Sequence, residues 1–123
     1  MKNVREMLNE LNGGFEAVGK EWPRFMAAFV SSQDRLSGGK ALSSKEKELI
    51  CVSIATYTRC EYCIVYHVYE ALKAGCTRQE ILEAGMMAVA FGGGPSMAYT
   101  SIYLKASLDE FEKDFQREEV QKC

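Results

Sequence analysis

The sequence predicts an all-α fold built from antiparallel helix hairpins. Apolar residues recur at intervals of three and four, as in helices with one buried face, and we find no convincing strictly alternating strand pattern. Two capping boxes, Ser43 to Glu46 and Thr77 to Glu80, mark helix starts. In each, the hydroxyl can accept a hydrogen bond from the backbone N–H of the glutamate, and the glutamate side chain can accept one from the backbone N–H of the hydroxyl residue. These signals predict about six helices packed side by side.

The first two helices precede the first capping box. One is expected over Met1 to about Val18, with its apolar pattern interrupted by Gly13-Gly14. The next is expected to begin at Pro23, which suits the first turn of a helix, and to end near Gly38-Gly39.

The remaining helices follow Ser43. One face of the third helix carries Leu49, Ile50, Ser53, Ile54 and Tyr57. The fourth helix is expected from near Cys60 to Gly75, and the fifth from Arg78 to about Phe91. After the triple glycine Gly92-Gly93-Gly94, Pro95 is expected to open a long last helix.

Composition is typical of a globular protein that forms one domain over residues 1–123. The chain has 47% apolar and 26% charged residues, which argues against disorder. The net charge of −2 argues against a nucleic-acid binder. The acidic last fifteen residues are interpreted as a solvated helix face.

The sequence gives no sign of export or of a membrane span. The charged N-terminus lacks the apolar stretch of a signal peptide, so a cytoplasmic protein is expected. The segment from Ala84 to Leu104 carries no charge, but the glycine–proline break interrupts it. We therefore interpret it as two buried helix segments joined by a turn.

Cysteine usage indicates thiol chemistry or metal binding. The chain has five cysteines and no secretory signal, so a structural disulfide framework is not expected. The segment Cys60–Cys63 holds a CxxC pair, and the chain's single histidine, His67, follows it. Cys51 and Cys76 are predicted to be buried, inert thiols, and Cys123 to be exposed.

Helix geometry places His67 beside one of the paired cysteines. At about 100° per residue, Cys63 and His67 lie about 40° apart and one turn apart on one face. Cys60 lies two turns from His67, on the order of 10 Å along the axis. The helix N-terminus favours a thiolate at Cys60, whereas the imidazole favours one at Cys63. The residues alone leave open which cysteine reacts.

Glu48 is the fourth candidate site residue. If the third and fourth helices form an antiparallel hairpin about Arg59, Glu48 lies eleven residues before the turn and His67 eight after it. The difference is about 4.5 Å of rise, so the two residues should lie near the same level. A carboxylate there would orient the imidazole and make it a better base.

This set of four residues and its surroundings resemble a known family. The set comprises Glu48, Cys60, Cys63 and His67. Its spacing resembles the alkylhydroperoxidase D-like branch of the carboxymuconolactone decarboxylase superfamily. Three segments are also similar to that branch: residues 43–50 to its helix start, 74–81 to its AGAT-x-EEI turn, and 92–95 to its glycine break. The resemblance covers a motif-bearing core of about residues 43–104.

The resemblance implies an all-helical trimer or hexamer that reduces peroxides or disulfides without a cofactor. Glu48 and His67 would form the proton relay. Cys63 would attack the peroxide, and Cys60 would close the disulfide. An external dithiol or redox protein would donate the electrons. Tyr62 stands where the best-studied branch has a histidine, and a phenol cannot act as a base near neutral pH.

Two alternative functions use the same residues. In a decarboxylase-like enzyme, His67 would act as the base on a small organic substrate, although the decarboxylase branch lacks the cysteine pair. In a non-enzymatic helical oligomer, the CxxC pair would bind a partner protein or zinc. A zinc ion there would need His67 and a further ligand such as Cys51, Cys76 or water.

Overall fold

The computed structural model describes residues 3–122, and their side chains as far as Gln116. The helices are α1 Val4–Glu21, α2 Pro23–Ser37, α3 Ser44–Tyr57, α4 Glu61–Lys73, α5 Arg78–Tyr99 and α6 Lys105–Lys122. A π-helical segment, Thr100–Leu104, joins α5 to α6. The predicted all-α class is confirmed over these residues.

Both predicted capping boxes are present, and they begin α3 and α5. The Glu46 N–H donates to Ser43 Oγ at 3.1 Å, and the Ser43 N–H donates to Glu46 Oε1 at 2.8 Å. Thr77 and Glu80 repeat the arrangement at 3.1 and 2.7 Å. Hydrogen bonds from Ser43 lower the pKa of the Glu46 carboxyl group. A cap of this kind stabilises a helix by about 1 kcal/mol.

The hydrophobic core surrounds α4. Its fully buried apolar residues are Val52, Ile64, Val65, Val68, Ala71, Ile81, Leu104, Leu108 and Phe111. They come from α3, α4, α5, the π-helical segment and α6, while the first half of α1 adds Val4, Met7 and Leu8. The first two turns of α4, which carry Cys63 and His67, therefore belong to a helix that is packed from several sides.

The second half of α1 forms an antiparallel hairpin with α2 outside this core. The rings of Phe15 and Phe29 meet edge to face with centroids 6.1 Å apart. No residue of α2 is buried, and Trp22 at its start is 67% exposed. Gly13-Gly14 interrupts the apolar pattern of α1 but not the helix, which continues to Glu21.

The inward face of α3 differs from the apolar stripe that stands out in its sequence. Ile54 is 57% exposed, whereas Val52, Ala55 and Thr56 are buried. Thr56 tolerates burial because its hydroxyl donates to the Val52 carbonyl oxygen at 2.8 Å. The outward stripe instead lines a surface groove of about 550 Å³, which we call the apolar groove. The residues of the apolar groove are Ser53, Ile54, Tyr57, Met87, Ala88 and Phe91.

The predicted glycine break interrupts α5 at one residue. Gly93 has φ 63° and ψ −142°, a conformation that only glycine adopts readily, and helical geometry resumes before Pro95. The expected long last helix is therefore present, although the π-helical segment lies within it. A Cβ at Gly85 would lie 2.7 Å from Leu104 Cδ1, so glycine also permits close packing here.

The uncharged stretch from Ala84 to Leu104 is only partly buried, contrary to expectation. Phe91 is 84% exposed, and Met87 and Ile102 are also exposed. Among the helices of the described residues, none combines the length and apolar character that a bilayer span requires.

Two arginines hold α6 through its acidic residues, which the sequence interpretation treated as merely solvated. Arg5 Nε donates to Glu110 at 2.7 Å, and Arg5 also bonds Asp114 at 2.9 Å. Arg78 bonds Asp109 at 2.9 Å and Glu112 at 3.1 Å. These partly exposed ion pairs join α6 to α1 and α5.

Candidate active site

The CxxC pair lies at the N-terminus of α4. Cys60 is the N-cap residue, and the Cys63 N–H donates to Cys60 Sγ at 3.3 Å. The two cysteines form a disulfide with a Cα–Cα distance of 5.2 Å. Arg59, with φ 57°, makes the tight turn from α3, and the Cys60 N–H donates to the Ala55 carbonyl oxygen at 3.1 Å. The turn therefore holds the pair at the positive end of the α4 dipole.

Glu48 and His67 meet between α3 and α4. His67 Nδ1 lies 2.9 Å from Glu48 Oε1, which confirms that the hairpin places both residues at one level. The His67 side chain is 26% exposed and the Glu48 side chain 24% exposed, so both are accessible to solvent. When Nδ1 carries the proton in this contact, Nε2 is the basic nitrogen. A carboxylate that orients an imidazole in this way is the arrangement of a general base.

Cys51 joins this pair as a third neighbour. Ligand atoms of Glu48, Cys51 and His67 all lie within 4.8 Å of one another. Burial, and secondarily the charge of Glu48, raise the pKa of the Cys51 thiol. Sequence reasoning weighed Cys51 only as an inert thiol or an extra ligand of the CxxC pair. Its spacing of three residues from Glu48, which puts both on one helix face, could have revealed the contact.

The family pattern of carboxymuconolactone decarboxylases matches residues 23–106, more than half of the chain and all four candidate residues. The chain belongs to the carboxymuconolactone decarboxylase family. Relatives in sequence extend over most of its length. An uncharacterised protein from Cupriavidus necator is 31% identical over 99 residues, covering 80% of this chain and 88% of its own. Uncharacterised protein 4 in the cox locus of Paracoccus denitrificans is 34% identical over 85 residues, covering 69% of this chain and 76% of its own.

Two solved structures of carboxymuconolactone decarboxylase family proteins share this fold. The protein from Legionella pneumophila, in its apo form, superposes with a TM-score of 0.78 at 33% identity, covering 89% of this chain and 95% of its own. A protein from Thermotoga maritima, with a suggested involvement in antioxidative response, gives a TM-score of 0.62 at 22% identity. That comparison covers 89% and 97% of the two chains and shows the fold alone.

Tyr62, the residue before Cys63, is directed to α1. Its hydroxyl donates to Glu10 Oε2 at 2.8 Å. Together with Phe15 and Val18 it lines a cleft of about 340 Å³ along the second half of α1. In this family member, position 62 therefore ties α4 to α1.

Three cysteines lie outside the CxxC pair. Cys76 is buried as predicted, its Sγ–H donates to the Lys45 carbonyl oxygen at 3.6 Å, and burial raises the pKa of its thiol. Cys51 is half-buried rather than fully buried. Cys123, predicted to be exposed, lies outside the described residues.

Proposed function

We propose that this protein is a thiol-dependent hydroperoxide or disulfide reductase. Cys60 and Cys63 form its redox pair, and Glu48 and His67 form its proton relay. The observation that carries the proposal is a disulfide-forming CxxC pair one helical turn from an imidazole held at 2.9 Å by a carboxylate. The suggested antioxidative involvement of the Thermotoga protein is consistent with this chemistry.

In the oxidative half-reaction, the Cys63 thiolate attacks one oxygen of the peroxide. An S–O bond forms, the O–O bond breaks, and the departing alkoxide takes a proton supplied through His67. Cys63 becomes a sulfenic acid, which the Cys60 thiol attacks to release water and close the disulfide. The peroxide gains the two electrons that the two thiols lose.

In the reductive half-reaction, an external dithiol or a redox protein returns two electrons by thiol–disulfide exchange. One donor thiolate attacks the Cys60–Cys63 disulfide, and the second donor thiol resolves the mixed disulfide. The same exchange run toward a substrate disulfide would make the protein a disulfide reductase. The cytoplasm, where thiols are kept reduced, is the compartment that suits this cycle.

Peptide mass mapping tests the proposal. Reduced, metal-free protein is exposed briefly to equimolar organic hydroperoxide and then quenched. The wild-type protein should form the Cys60–Cys63 disulfide rapidly, Cys60→Ser should accumulate a sulfenic acid at Cys63, and Cys63→Ser should lose turnover. Cys76→Ser, which removes a buried thiol that belongs neither to the redox pair nor to the relay, should behave as wild type. Undiminished turnover in Cys63→Ser would contradict the mechanism.

A decarboxylase-like reaction is the second candidate, favoured by the family to which the chain belongs. His67 would then act as a base on a small organic substrate, and its contact with Glu48 needs neither cysteine. Activity on a lactone substrate that survives the Cys60→Ser, Cys63→Ser double change, but not His67→Ala, would select this reaction. The opposite pattern would exclude it.

A further inference from the structure

Three side chains with different donor atoms meet between α3 and α4. Glu48 and Cys51 lie three residues apart on one face of α3, and His67 faces them from α4. In the part of the chain that the structure describes, this is the group of three potential metal ligands whose atoms come within 4.8 Å of one another. Cys60 and Cys63 are bonded to each other and are not in it.

The donor set suits a borderline divalent transition metal. Zinc takes carboxylate oxygen and imidazole nitrogen at about 2.0–2.2 Å and thiolate sulfur at about 2.3 Å. In a tetrahedral site these bonds separate the ligand atoms by roughly 3.3–3.8 Å. The hydrogen bond between His67 and Glu48 is shorter, at 2.9 Å, and the widest separation in the group is at most 4.8 Å. Small side-chain rotations would therefore bring all three atoms onto one ion.

Charge and access also fit a cation. A carboxylate and a thiolate carry two negative charges, which balance one divalent ion in a partly buried site. Glu48 lines a surface cleft of about 290 Å³ beside the end of α4, together with Lys47, Glu70 and Lys73. An ion can therefore approach Glu48 from solvent.

We infer that Glu48, Cys51 and His67 form a binding site for a divalent transition metal of the Zn²⁺ type. Three protein ligands leave a fourth position for water or for a thiolate. Where the proposed function holds, which this consequence requires, a bound ion occupies the carboxylate and the imidazole of the proton relay. Metal binding and rapid oxidation of the cysteine pair are then mutually exclusive.

Equilibrium dialysis against Zn²⁺ with metal analysis tests the site. The protein is used with its Cys60–Cys63 disulfide intact, so that these two sulfurs cannot supply thiolates. One Zn²⁺ should bind per chain. Cys51→Ser should weaken binding at least about tenfold, because loss of a residue that only hydrogen-bonds to a metal ligand already has an effect of that size. The matched control, Cys76→Ser, should bind as wild type.

A cobalt titration tests whether Cys51 binds the metal in a protein that retains this cysteine, so it does not depend on the folding of Cys51→Ser. In the oxidised protein carrying Cys76→Ser and Cys123→Ser, Cys51 is the single remaining thiol. Co²⁺ should then produce a thiolate-to-metal absorption band. Absence of the band, unchanged Zn²⁺ binding by Cys51→Ser, or binding only after reduction of the disulfide would overturn the inference.

These measurements use no peroxide, so they separate the two proposals. If the protein binds Zn²⁺ but its cysteine pair is not oxidised in the peroxide experiment, the proposed function is wrong and the metal site stands. If the pair is oxidised but the protein binds no Zn²⁺, only the proposed metal site is wrong.

Discussion

The contact between Glu48 and His67 determines how the imidazole is oriented. With Glu48 Oε1 at 2.9 Å from Nδ1, the ring is held, and Nε2 is the nitrogen available to a reactant. Helix rise across a short hairpin was enough to predict this pairing from sequence. The neighbouring Cys51 was not predicted as a member, because a single cysteine in an apolar helix resembles an ordinary core residue.

Replacing Glu48 tests its positioning role. Glu48→Gln should slow peroxide-driven disulfide formation by about 10- to 100-fold, less than the 10²- to 10⁴-fold effect of losing a general base outright. Glu48→Asp should restore part of the rate, because it keeps the carboxylate. Both rates are measured in metal-free buffer by quenched peptide mapping.

The control for this experiment is Glu83→Gln, which neutralises an exposed carboxylate on α5. It should react at the wild-type rate. Equal rates in Glu48→Gln and Glu83→Gln, with both variants folded by circular dichroism, would remove Glu48 from the relay.

At the scale of helices, the sequence was a better guide to boundaries than to faces. The capping boxes predicted the starts of α3 and α5, because capping depends on local chemistry. The buried face of α3 was less predictable. The small residues Ala55 and Thr56 are buried, while the larger Ile54 and Tyr57 lie on the surface. Hydrophobicity alone does not say which contact a helix face makes.

The break in α5 depends on glycine at one position. Gly93 has φ 63° with ψ −142°, so an alanine there would be strained even though its Cβ would meet no atom within 4 Å. Gly93→Ala should lower the free energy of unfolding by about 1–3 kcal/mol. Thermal denaturation should show the loss as a fall in Tm.

Gly13→Ala is the matched control, because Gly13 lies inside α1, its Cβ would also meet nothing within 4 Å and its φ is not positive. This variant should be neutral or slightly stabilising. Equal losses of Tm in the two variants would mean that the strain at Gly93 is not the cause.

On the scale of the whole molecule, much apolar surface is left uncovered. The apolar groove between α3 and α5 is open, and α2 contributes no buried residue. A domain of this size also buries only about two thirds of its unfolded surface. A second copy of this chain is the occupant that the family resemblance implies, so assembly as a trimer or hexamer remains our prediction.

Light scattering after size-exclusion chromatography tests that assembly. Wild-type protein should elute as a species several times heavier than the 13.8 kDa chain. Ile54→Asp should shift it toward the monomer, because a buried, unpaired carboxylate in the apolar groove is strongly unfavourable. Gln79→Asp, at an exposed position that does not line the apolar groove, should leave the mass unchanged. A wild-type monomer at micromolar concentration would refute the prediction.

The placement of the four candidate residues on one hairpin also bears on the order of folding. Glu48 and His67 are 19 positions apart, whereas the Arg5–Glu110 contact joins residues 105 positions apart. Short loops close at low entropic cost, and helical hairpins with local contacts form fast. The α3–α4 hairpin is therefore expected to assemble before α1 and α6 meet. Its two cysteines would already lie near His67 in a half-folded chain, so their oxidation need not wait for the native state.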